Sequence, residues 1–60
     1  MEDYAVRAAH YRNKAEEAQT VAAEMSSAEA RATLLVIAAD YIHMAETLER
    51  LVAEHKSGKG

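Results

Sequence analysis

The apolar positions of this chain fall into two phased runs. Tyr4, Ala8, Tyr11, Ala15, Ala18, Ala22 and Met25 follow one another at steps of 4, 3, 4, 3, 4 and 3. Leu34, Ala38, Tyr41, Ala45, Leu48, Val52 and His55 repeat the same steps. This spacing keeps one stripe of a helix turned toward a second helix. Between the runs lies the stretch EMSSAEARATLL, Glu24 to Leu35, with the adjacent pair Ser26 and Ser27. Serine is a preferred helix N-cap, because its oxygen accepts from an exposed N–H of the first turn. Ser26-x-x-Glu29 has the spacing of a capping box. Ser27 is an equally usable cap, with Ala28 opening the helix and Glu29 near its positive end. The pattern predicts helices over 3–25 and 28–55 with a turn at Ser26-Ser27.

Folding back at that turn pairs positions whose numbers sum to 56. Ala22 then meets Leu34, Ala18 meets Ala38, Ala15 meets Tyr41, Tyr11 meets Ala45, Ala8 meets Leu48 and Tyr4 meets Val52. In most layers a large residue faces a small one, as close-packed helices require. A straight helix gives no reason for that complementarity. The expected fold is all-α, an antiparallel two-helix hairpin with a short connection.

The two helices differ in breadth of apolar surface. The first has a narrow stripe flanked by Arg7, Arg12, Lys14 and Glu16. The second is apolar over a wider arc, with Ile37, Met44 and Leu51 on one side of its seam and Leu35 and Ile42 on the other. Its polar face is Asp40, His43, Glu46, Thr47, Arg50 and Glu54. One narrow partner cannot cover that arc, and an alanine-rich seam buries little apolar area. Self-association through Leu35, Ile37, Ile42, Met44 and Leu51 is therefore expected, two hairpins making a four-helix bundle with the second helices at its centre.

Composition adds limits. The chain has no Pro and no Cys, and its two Gly stand within the last three of 60 residues. Nothing before Gly58 breaks a helix. Residues 1–56 read as one hairpin domain and 57–60 as a polar flexible tail. Without Cys there is neither a disulfide framework nor a thiolate metal site. MEDYAVRAAHYR lacks the basic and apolar regions of a signal peptide. The longest apolar run, LLVIAA, is far shorter than the ~20 residues of a membrane span. The reading expects a cytoplasmic chain without a membrane partner. A net charge of -3 with scattered Lys and Arg does not form a nucleic-acid footprint.

The stretches YRNKAEEA (Tyr11–Ala18) and SSAEARATLLVIAADYIHMAE (Ser26–Glu46) resemble a group of short uncharacterised helical-hairpin proteins of alphaproteobacteria. The shared pattern is Tyr-Arg-x-x-Ala-Glu-Glu, a turn often written Asp-Pro-Glu, then Arg-x-x-Leu-Leu-x-x-Ala-x-x-Tyr-x-x-Leu-Ala-Glu. Tyr11, Arg12, Ala15, Glu16, Glu17, Arg31, Leu34, Leu35, Ala38, Tyr41, Ala45 and Glu46 occupy its places. Ser27-Ala28 stands where the group has Asp-Pro, and Met44 where it has Leu. The resemblance spans a little over half the chain. It implies a bacterial helical protein and brings no activity with it.

Candidate chemistry is thin. Asp40-x-x-His43 and His43-x-x-Glu46 each share a helix face, but a di-iron bundle needs inward Glu-x-x-His, and His43 lies opposite the seam. His10 is off the seam of the first helix, and His55 falls near the end of the second, where a helix-dipole role suits it better than metal ligation. Tyr4, Tyr11 and Tyr41 read as core residues whose hydroxyls reach the edge. Arg12–Glu16, Glu46–Arg50 and Arg50–Glu54 have the spacing of helical ion pairs. No catalytic triad, phosphate-binding loop or nucleotide motif is present. The expectation is a non-catalytic structural or adaptor module without cofactor or metal, whose partner is itself. The alternatives are a regulator that binds a helix of another protein and, less in keeping with the residues, a metal-binding or enzymatic bundle.

Overall fold

The computed structural model describes residues 3–58, with side chains through His55. It forms two helices packed against each other, α1 (Tyr4–Glu24) and α2 (Ala28–Gly58), in a rod of 50 × 15 × 14 Å. Met1, Glu2, Lys59 and Gly60, at the ends of the expected domain and tail, lie outside the described residues. The α2 helix passes the expected end at 55 and takes in Ser57 and Gly58. The first glycine of the sequence is thus the last helical residue among those described.

Local chemistry sets the boundaries. Asp3 opens α1 from an extended conformation, and its Oδ1 accepts from the backbone N–H groups of Ala5 and Val6 at 3.1 and 3.3 Å. A carboxylate there also suits the positive end of the helix. At the other end Met25 turns extended, with ψ at 133°. This ψ takes the chain out of the α region while the Met25 N–H still donates to the Ala22 carbonyl at 3.1 Å. Ser27, not Ser26, caps α2. Its Oγ accepts from Ala30 N–H at 3.2 Å, and its carbonyl accepts from Arg31 N–H at 3.0 Å. The residue three beyond this cap is Ala30, so the expected Ser26–Glu29 box is not the cap in use, and Glu29 lies in the first turn as an acidic residue alone. Arg31 reaches back and donates Nη2 to the Met25 carbonyl at 2.8 Å, closing the turn from the α2 side.

Among the described residues every buried apolar residue is alanine: Ala8, Ala15, Ala18 and Ala22 from α1, Ala38 and Ala45 from α2. Ala15, Ala18 and Ala38 form a contiguous cluster, with Tyr41 and Ile42 packed over it. The methyl groups bring the helix backbones close together, and larger side chains lie along the two edges of the contact. Tyr11 and Tyr41 stack with ring centroids 5.9 Å apart and planes at 29°. Tyr41 therefore touches both the Ala15 level and the Tyr11 level, a diagonal contact that pairing by facing layers omits. Leu34, Leu48 and Val52 are half-buried, and Tyr4 is 38% exposed.

One edge is clasped by charge. Arg12 Nε and Nη2 donate to the two carboxylate oxygens of Glu49, each at 2.8 Å. This bidentate pair replaces the expected Arg12–Glu16 contact, because the guanidinium fork matches a carboxylate facing it from α2. The expected Glu46–Arg50 and Arg50–Glu54 pairs are absent too, and Arg50 Nη2 lies 3.5 Å from Thr47 Oγ1. Within α1, Lys14 and Glu17 approach to 3.7 Å. Hydrogen bonds from Arg12 hold the Glu49 carboxyl below its ordinary range, with partial desolvation opposing and the cation's attraction adding. Arg12 in turn binds its proton more tightly, chiefly through the same hydrogen bond and then through Glu49's charge.

Two outcomes follow. Ala15→Leu overfills the Tyr41 layer and should cost about 1–3 kcal/mol. Ala9→Leu, at an exposed position of α1, should cost less than about 0.5 kcal/mol. Equal losses in thermal melts would show that Ala15 is not in the close contact. For the clasp, Glu49's folded value is lowered, so its contribution is present above the ordinary carboxylate range and is lost as pH falls through the lowered value. The wild-type melt should lose more stability on acidification than Glu49→Gln does. Because both side chains are 45% exposed, added salt should narrow that difference.

Candidate functional site

The alanine contact leaves the large apolar side chains of α2 at the edges. Ile37, Met44 and Leu51 recur every seven residues and are 40%, 47% and 38% exposed. At about 100° per residue they share one flank of α2. The half-buried seam residues Leu34, Tyr41 and Leu48 lie between this row and the buried alanines Ala38 and Ala45, so the apolar positions run on from those alanines to the row. Isolated exposed apolar residues are common, but an ordered row that joins the core is a candidate interaction surface.

The opposite flank is different. Ile42 is half-buried and packs over Ala15, Ala18 and Ala38, so the hairpin itself occupies much of a residue expected at a contact between chains. Leu35 on that side is 46% exposed. Further along, the Arg12–Glu49 pair spans the flank. Beside it a shallow groove of about 410 Å³ is lined by Ala5, Ala8, Ala9, Arg12, Asn13, Glu49 and Val52. Its walls are three alanines, Val52, Asn13 and the Arg12–Glu49 ion pair. The five residues expected at the interface thus divide into the row Ile37–Met44–Leu51, the exposed Leu35, and Ile42 in the hairpin's own packing. Val36, 61% exposed, faces away from the row on the polar side of α2.

The polar residues beside the row are nearly self-sufficient. Thr33 Oγ1 donates to the Glu29 carbonyl at 3.0 Å, and Thr47 Oγ1 to the His43 carbonyl at 3.0 Å. Both threonines follow the period of seven with Asp40 between them. Spacing can place such residues, but whether a hydroxyl turns back to its own helix is a rotamer choice that spacing does not reveal.

His10, His43 and His55 are exposed, and His10 meets Tyr11 edge-on at 5.8 Å. Among the described residues no three His, Asp or Glu side chains gather as a metal site would require, and no helix is long and apolar enough to cross a membrane. Comparison with protein-family models, with curated proteins and with solved structures gives no match to the chain.

Proposed function

We propose that this chain is a non-catalytic assembly module, in which hairpins associate through α2 to form a four-helix bundle. The observation that carries the reading is the row Ile37, Met44 and Leu51, left at 40%, 47% and 38% exposure while, among the described residues, only alanines are buried. The total accessible surface supports it. The chain exposes 4566 Å², against roughly 3,900 Å² for a compact monomer of this mass. A second hairpin laid on the α2 flank removes apolar area where the single hairpin buries least. A homodimer is the simplest closed assembly. In it α2 of each copy lies at the centre, and the bundle serves as a structural or adaptor module that docks a partner through the surface left over.

Association and folding are then coupled, so the melting temperature should rise with protein concentration. Light scattering at roughly tens of micromolar, a range that populates an ordinary homodimer, should give at least twice the 6.6 kDa chain mass. Replacing Ile37 and Met44 together by Glu sets like charges in the interface and leaves the alanine contact untouched. That variant should run as a monomer and lose most of its helicity on dilution. A stably folded wild-type monomer in the same range would overturn the reading and assign the row to a helix of another protein.

A further inference from the structure

We infer that the Ser26-Ser27 pair is a two-residue phase shift, which holds the chain closed as a hairpin and keeps copies from opening into straight helices that exchange halves. The device acts within one chain, so it stands or falls independently of the assembly proposed above.

The chemistry of the turn does not by itself forbid a straight helix. Only Met25, Ser26 and Ser27 stand between α1 (Tyr4–Glu24) and α2 (Ala28–Gly58). None of the three is Gly or Pro, the residues that break helices. Met25 keeps φ at -78°, within the helical range, and leaves the helix through ψ alone, at 133°. The side-chain bonds that close the turn are few. Ser27 Oγ accepts from Ala30 N–H, and Arg31 donates to the Met25 carbonyl. All lie on exposed groups, where water competes for the same bonds. Opening such a turn is a known route to dimers in which each copy supplies the other's missing element.

Phase opposes that opening. Continued past Met25 at the same steps of 4 and 3, the α1 seam falls on Glu29, Ala32, Val36, Ala39 and His43. All five are exposed. The α2 seam that is buried or half-buried runs through Leu34, Ala38, Tyr41 and Ala45, each two residues later than the continuation. Two residues are about 200° of helical rotation. In a straight helix the end of the first seam and the start of the second therefore lie on nearly opposite faces. A second straight copy can cover one seam, and it leaves the alanines of the other in water. Folding back sets both seams face to face within one chain. The phase shift also accounts for Val36, which is 61% exposed and stands where an unbroken seam would have placed it inside.

Removing the two serines closes the register. Met25 is then followed at steps of 4, 3, 4 and 3 by Arg31, Leu34, Ala38 and Tyr41. Arg31 is the one charged interruption of a seam that then runs from Tyr4 to Val52 along a single face. Two such chains can lie antiparallel and remake between them the contact that Ala15 and Ala18 make with Ala38 in the hairpin.

The chain has no cysteine, so spin labels can be placed on Ala9→Cys and Thr47→Cys, both at exposed positions. Doubly labelled full chains are diluted into unlabelled ones, and pulsed electron paramagnetic resonance then reads the distance within one chain. The otherwise unchanged chain should give a short distance, set by the 15 Å width of the rod and the reach of the labels. Ser26→Ala with Ser27→Ala removes the cap and keeps the residue count, and it should keep the short distance. Deletion of both serines should lengthen the distance to about 54 Å, the rise of the remaining ~36 residues at 1.5 Å each. The deleted chain should also scatter as a dimer, and chains labelled singly at 9 and at 47 should show the short distance when mixed. A long distance in the double alanine variant would show that the cap, not the phase, keeps the chain closed, and would overturn the inference. A deletion variant that keeps the short distance within one chain, or that loses its helicity, would overturn it as well.

Discussion

Close approach of two helices through alanine is the constraint on which this molecule depends. A methyl group at each buried seam position lets the backbones come near one another, and Ala15, Ala18 and Ala38 show the contact at its tightest. The same choice limits what the hairpin buries, since hydrophobic stabilisation scales with the apolar area removed from water. Among the described residues, large apolar side chains such as Tyr41 and Ile42 accordingly lie beside the alanines and keep part of their own surface in water. Tyr41 and Ile42 do this over the central cluster, and Tyr11 extends the cover by stacking on Tyr41. The exposed row on α2 is thus a geometric result of the close contact.

The two edges resolve that result differently. On one, Ile42 folds over the cluster and a bidentate ion pair spans the helices. On the other, Ile37, Met44 and Leu51 continue outward from the half-buried Leu34, Tyr41 and Leu48. An edge closed by charge is satisfied in water, while an edge continued by aliphatic side chains improves on contact with more apolar surface. The proposed assembly rests on this asymmetry, since association through one side only would give a closed pair and not an open chain of copies.

Period and small-residue placement made the hairpin legible in the sequence, because a 4,3 step survives any choice of side-chain conformation. The buried alanines are all seam positions for the same reason. The turn was legible to within a residue. Ser26 and Ser27 carry the same hydroxyl, and the structure shows Ser27 capping α2 through Ala30 N–H. The contact of Arg31 with the Met25 carbonyl and that of Arg12 with Glu49 were not legible. Long side chains reach several partners, and spacing along one helix favoured Arg12–Glu16 because it says nothing of a carboxylate 37 residues away. Asp3 had a recognisable capping residue type and lay at the predicted boundary, yet its role rests on a backbone angle. At the candidate site, periodicity placed Ile37, Met44 and Leu51 on one flank, but could not show that Ile42 on the other is drawn into the hairpin's own packing.

Alanine has no side-chain torsion, so the buried interior of this hairpin has no alternative rotamers. It cannot repack around a larger neighbour, and it carries almost no information beyond its own smallness. Two hairpins of this kind could share the same interior and still differ on the rim, at positions such as 37, 44 and 51. In the proposed assembly, the buried alanines and the residues that meet a second copy are separate sets. Sequence change can rewrite the rim without disturbing the interior, and selection for a new partner would leave the row of alanines as it is.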